Sequence, residues 1–239
     1  MSLFDNAIVT KRFRIGFGLL VFAVIGGIVW VVIGAHQPEY QGRDLKSWLY
    51  EAKSNDWMSA RSETAIRAMG TDALPGLLAM VRVKDSLFRK GLLALSKKQE
   101  WIPINFRTRE DIQEMAWHGI LILGPIARPA IPDLVHDLDD PDPQVRVLAA
   151  YCLWEIGSPG QEAVPALIRC LNDALKRNTG SDWDVAQLTW TALALGEMGS
   201  ASRQAIPQLT ALSSLTNASD WFPALSAKAA LIKINGESV

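Results

Sequence analysis

The residues that could do chemistry in this chain are few and badly spaced for it. Its three histidines are His36, His118 and His136, and no His-x-x-x-His or Cys-x-x-Cys spacing occurs. A zinc site, structural or catalytic, needs such convergent ligands, so none is expected. Cys152 and Cys170 are too few for a disulfide framework. Cys152 falls on an apolar helix face and reads as a buried thiol; a bridge to Cys170 on the adjacent helix stays open. Asp133, Asp137, Asp139, Asp140 and Asp142 form an acidic cluster. Calcium would need several oxygens on one ion, and the spacing is not that of an EF-hand loop. Asp142 before Pro143 reads as N-cap and first residue of a helix. Lys97, Lys98, Arg107 and Arg109 are interleaved with Trp101 and Phe106 around Pro103. Two aromatics among four cations are too sparse to specify stacking of a nucleic acid. No phosphate-cradling glycine loop and no nucleophile elbow is present, and Asn217-Ala218-Ser219 is a glycosylation triplet of low specificity. The expected catalytic residues, metals and cofactors are none.

The elements that would position any site are far clearer. Ile112, Met115, Ala116, Gly119, Ile120 and Leu123 reappear 33 residues later as Val145, Leu148, Ala149, Cys152, Leu153 and Ile156. Steps of three and four residues place each series on one helix face. Each ends at a glycine, Gly124 or Gly157, where a C-cap needs positive φ. A second series follows: Ala130, Ile131, Leu134, Val135, Leu138, and then Ala163, Val164, Leu167, Ile168, Leu171. Pro132 and Pro165 sit in its first turn, where a missing N–H costs nothing. The unit is helix, turn, helix, and it must stack on a neighbour to bury its face. Gly199 and Pro207 mark a further copy, with Trp190, Ala194, Leu195 and Met198 before them, offset by 42 residues because Lys176–Ser181 lengthens the preceding loop. An early, shortened copy runs through Ala65, Ile66, Met69, Gly70, Leu74, Pro75, Leu77, Leu78 and Val81. A last half-copy has Ala227, Ala230, Leu231 and Ile234, with Asn235 expected in the glycine's place as αL cap.

Motifs such as AAYCLWEIGSPGQEAVPALIRCL and LALGEMGSASRQAIPQLTAL resemble HEAT repeats, nearest to the short type of the phycobilin lyases, over residues 58 to 236. The resemblance implies an all-α HEAT-like α-solenoid of antiparallel helix pairs, with the second helices lining a concave side. It also implies an Asp in the loop between repeats and an Arg in the next first helix, a pattern that Asp139 or Asp140 with Arg146 fits.

Ahead of the repeats, Ile15–Ile33 is an uncharged run of 19 residues. At 1.5 Å per residue it spans about 28 Å, the thickness of a bilayer's hydrocarbon. Lys11, Arg12 and Arg14 before it favour a cytoplasmic N-terminus. The expected organisation is a cytoplasmic segment at 1–14, a transmembrane helix or uncleaved signal anchor at 15–34, a linker at 35–43 and a repeat domain at 44–239 with an irregular insert at 85–110. The expected location is a cell membrane, crossed once, with the repeats outside the cytoplasm. A cleaved signal peptide ending near Ala35, and hence a secreted solenoid, is the rival reading. In Asp44–Lys53, Leu45, Trp48 and Leu49 share a face, so this helix is expected to cap the array.

Formal net charge is −1, and −3 without the first 35 residues, which argues against a general nucleic-acid binder. The expected function is a membrane-tethered protein–protein interaction scaffold without catalysis; the alternative is a lyase-like or small-molecule-binding HEAT-like protein. A protein or peptide partner is expected at the non-core positions of the second helices: Arg82, Asp133, His136, Asp137, Arg169 and Gln208. Lys97, Lys98, Trp101 and Arg107 of the insert are added because insertions often sit on binding faces. Reversing the charge of Asp133 and Asp137 together is expected to abolish capture without loss of stability.

Overall fold

A computed structural model describes residues 38–55, 59–85, 91, 107–157, 161–177, 179–215 and 221–236. The expected membrane span at 15–34, and Lys97, Lys98, Trp101 and Phe106 of the insert, lie outside the described residues. Among those described, no helix is long and apolar enough to cross a membrane.

The domain opens on a two-stranded antiparallel hairpin, β1 (Glu39–Tyr40) with β2 (Arg43–Asp44). Gln41 and Gly42 both take positive φ, 52° and 72°, as the tightest two-residue turn requires. Residues 39–43, expected as linker, therefore already belong to the folded unit. Helix α1 (Leu45–Ser54) follows, with Asp44 accepting from the Ser47 N–H at 3.0 Å. Leu45, Trp48 and Leu49 are buried. Trp48 donates its indole N–H to the Tyr40 carbonyl at 3.1 Å, and the Arg43 guanidinium lies 4.1 Å from its ring centroid. The hairpin and α1 are thus one cap, built around a tryptophan with no exposed surface.

The helix pairs come next: α2 (Ala60–Met69) with α3 (Leu74–Val81), α4 (Arg109–Leu123) with α5 (Ile131–Asp137), α6 (Pro143–Ile156) with α7 (Val164–Arg177), α8 (Asp182–Glu197) with α9 (Ile206–Ser213), and α10 (Trp221–Asn235). First helices pack in succession, α2 on α4, α4 on α6, α6 on α8, α8 on α10, and each second helix packs on the first helix of the next pair. The apolar series are the core: Ile66, Leu77, Met115, Ile120, Leu134, Leu153, Ile156 and Leu167 are all at or below 1% exposed. The fold is all-α apart from the small hairpin, with helix pairs packed in series.

Local details depart from the expectation where backbone geometry decides. Each turn between paired helices is a 3₁₀ segment, at Gly70–Ala73, Gly124–Ala130, Gln161–Ala163 and Gly199–Ala205. Gly124 takes φ 52° and ψ −126°, a region essentially reserved to glycine, so the demand there is stricter than for an αL cap. Asn235 is still helical, and Gly236 at φ 76° is the positive-φ residue, so the final cap is a glycine after all. The extra residues near 176 do not lengthen a loop. They extend α7 to Arg177, because Ala174 finds a buried place and two cations suit a helix C-terminus. The insert is shorter than expected, since Thr108 and Asp111 form a capping box and Arg109 already opens α4.

Candidate interaction surface

The acidic cluster between α5 and α6 is where the most elements meet. Asp133 lies on the exposed side of α5, and its Oδ1 accepts from Arg82 Nη2 at 2.8 Å. Asp137, one turn on, accepts from Arg82 Nε through both oxygens, at 2.8 and 2.9 Å. Asp139 pairs with Arg169 on α7 at 3.1 Å. Asp140 holds Lys84 Nζ at 2.9 Å and also accepts the Asp142 N–H. Asp142 caps α6 through the Gln144 N–H and lies 2.8 Å from Arg109 of α4. Five carboxylates thus meet cations from three other places: the end of α3, the start of α4, and α7. Among the described residues no group of side chains is arranged to hold a metal ion.

These acids differ in environment. The Asp137 side chain is only 4% exposed, and burial pushes its pKa up against the pull of Arg82. Asp140 is also opposed by burial, yet Lys84 and the Asp142 N–H hold its pKa below the ordinary value. Asp133, Asp139 and Arg169 are more than half exposed, as is the chemistry of a surface.

The expected partner-binding residues are therefore partly brought together. Arg82 with Asp133, and Arg169 with Asp139, form two ion pairs along the second-helix layer, and His136 is exposed on α5, between Asp133 and Asp139 in sequence. Asp137, expected at the surface, is instead buried beneath the Arg82 guanidinium. Gln208 of α9 is half-buried and lies outside these ion pairs. Arg107 stands apart, its guanidinium 4.5 Å from the Tyr50 ring centroid and near the Met115 sulfur. Arg146, which the repeat pattern sets with Asp139 or Asp140, meets Asp140 through the main chain: its guanidinium donates to the Asp140 and Pro141 carbonyls, 2.8 and 3.1 Å, and to Gln187 at 3.2 Å, while its charge helps lower the Asp140 pKa. Gln113, 33 residues earlier, likewise donates to the Val81 carbonyl at 2.8 Å. Gln113 thus caps the C-terminus of α3, while Arg146 ties down the loop between α5 and α6.

Both cysteines are free and buried. Burial pushes each thiol's pKa up, so neither is a ready nucleophile. The first-helix layer carries a seam that periodicity does not single out. Trp117 and Tyr151 meet edge-on at 5.0 Å, Tyr151 and Trp190 at 4.6 Å, and Trp154 and Trp190 at 5.3 Å. His118 stacks on Trp117, and burial lowers its pKa. Rings this close are in contact, so the seam ties α4, α6 and α8 together.

Compared with protein-family models, curated proteins and solved structures, the chain matches none.

Proposed function

We propose that this chain is a membrane-tethered, extracytoplasmic protein-binding scaffold of HEAT-like type, without catalysis. The observation that supports it most is the row Arg82, Asp133, His136, Asp139 and Arg169. It carries both signs of charge, crosses three successive helix pairs, and is anchored at Arg82 by the buried Asp137. Mixed charge on a rigid surface suits a protein or peptide partner better than a polyanion. The tether is residues 15–34, on the strength of their uncharged length. Pairs as exposed as Asp133–Arg82 and Asp139–Arg169 contribute about 0–1 kcal/mol each, so they are free to serve binding.

The test is capture by the full-length chain, solubilised from its membrane. Asp133→Lys with Arg169→Glu is expected to abolish capture while leaving the melting temperature near that of the parent. Lys176→Glu, at a 79% exposed position on the last turn of α7, is expected to leave capture intact. Capture that survives the double change and is lost with Lys176→Glu would move the site off the second-helix row.

A further inference from the structure

The last helix presents an apolar stripe to solvent. One side of α10 packs on α8 and α9, burying Pro223, Ala224, Ala227, Ala230 and Ile234. On the other side Trp221 is 68% exposed, and Phe222 and Leu225 are each 49% exposed. Ala229 and Ile232, both half-buried, continue the line at the four- and seven-residue steps of a helix face. In α6 and α8 the corresponding side is covered by the next first helix. On α10 no described element covers it.

The charge around the stripe narrows the occupant. Lys228 is exposed at its centre, and α10 contains no carboxylate. Lys233 is already paired with Glu197. From residue 198 to 236 the described residues bear cations at Arg203, Lys228 and Lys233 and no acid; Asp220 and Glu237 lie outside the described residues. A second copy fits poorly. Antiparallel pairing of α10 with itself about its midpoint would set Lys228 against its own copy, with no carboxylate on α10 to relieve it. A lipid surface fits poorly too. One lysine beside the paired Lys233 offers only about 1 kcal/mol of attraction to anionic headgroups, where such helices use several.

We propose that the open face of α10 binds an amphipathic helix of a partner protein, one whose apolar stripe is flanked by carboxylates. It would lie where a next first helix would pack, with Trp221, Phe222, Leu225 and Ile232 buried and Lys228 meeting an acid. This extends the scaffold reading to a second surface and uses none of the charged row, so each can fail alone.

The test uses the full-length chain in nanodiscs of zwitterionic lipid and two synthetic amphipathic helices with one apolar stripe, flanked by glutamates or by lysines. The glutamate helix is expected to bind and to shift the fluorescence of Trp221; the lysine helix is expected to bind about tenfold more weakly. Lys228→Glu should reverse that preference, and Leu225→Ser should weaken both by about tenfold. Both substituted side chains are exposed, so the melting temperature should not move. Equal binding of the two helices, or a preference unchanged by Lys228→Glu, would overturn the proposal. So would self-association that Leu225→Ser removes, which assigns the face to a second copy. Docking of this face gained only on changing the nanodisc lipid to phosphatidylglycerol would assign it to anionic lipid and overturn the proposal as well.

Discussion

Asp133 and Asp137 share one guanidinium yet should differ sharply when removed. Asp133 is half exposed, so Asp133→Ala is expected to cost less than about 1 kcal/mol. Asp137 is nearly sealed and holds Arg82 Nε with two oxygens. Losing it leaves Arg82 Nε without its acceptor beside a buried hole, although Asp133 still holds Nη2, so Asp137→Ala is expected to cost about 1–3 kcal/mol. Arg82→Leu made together with Asp137→Ala should cost less than the two changes summed, because no buried charge is then left without its partner and Asp133, which also loses Arg82, is half exposed. Equal losses for Asp133→Ala and Asp137→Ala in urea unfolding would contradict this geometry. It also revises the expectation that a double charge reversal at these two acids spares stability: Lys at 137 would face Arg82 in a closed space. The periodicity of α5 correctly leaves Asp137 off its own apolar stripe. Periodicity describes one helix at a time, however, and the side chain that buries Asp137 comes from 55 residues earlier, at the end of α3. The ion-pair partners of the whole acidic cluster were illegible for the same reason.

At the level of elements the helix order was legible, because apolar positions repeat at helical steps and glycine and proline punctuate them. Lengths were less so: seven residues suffice for α5, while α7 runs to 14, since nothing in a repeat period says whether added residues continue a helix or leave it. Close approach between helices was also hidden. A Cβ on Gly196 would lie 2.9 Å from the Ala230 Cα, a backbone atom that cannot step aside. At Gly119 the obstacle is the end of the flexible Leu77 side chain. Alanine raises helix propensity by about 1 kcal/mol at either site. Gly196→Ala is nonetheless expected to destabilise by about 1–3 kcal/mol by forcing α8 and α10 apart. Gly119→Ala should cost less, since Leu77 can change rotamer. Thermal unfolding of the two variants decides the matter, and a Gly196→Ala protein as stable as the parent would mean that α10 does not sit so close.

Across the whole molecule, several joints between elements rest on carboxylates that must stay charged. Lys53 of α1 binds Asp111 and Glu114 of α4 at 2.5 and 2.7 Å, and this pairing lowers the Asp111 pKa. Asp140 joins the end of α3 to the turn before α6. Asp184 joins α8 to the end of α7; burial opposes its charge, but Thr179, Arg177 and Ser181 outweigh it and lower its pKa. A carboxyl whose folded pKa is depressed stabilises the fold fully above its unfolded value, near 3.8 for these three. That contribution is lost as pH falls through the folded value. His118 works in the same direction at higher pH, because its lowered pKa means that folding prefers the neutral ring, and the preference is felt below 6.5. Asp137 runs the other way, its raised pKa giving a contribution that is lost as pH rises. Glu51, held low by its hydrogen bond from Arg43, adds a fourth depressed carboxyl, and among the described residues four carboxylates and a histidine against one acid set the net sign. The urea midpoint is expected to be level near neutral pH, to decline gently below about pH 6.5, and to drop steeply below about pH 4. Asp184→Asn should lower the midpoint at neutral pH and flatten the acid limb, since the amide has no charge to lose. A midpoint that rises on acidification from about pH 5 to about pH 3 would show that buried, unfavourably charged acids such as Asp137 dominate instead.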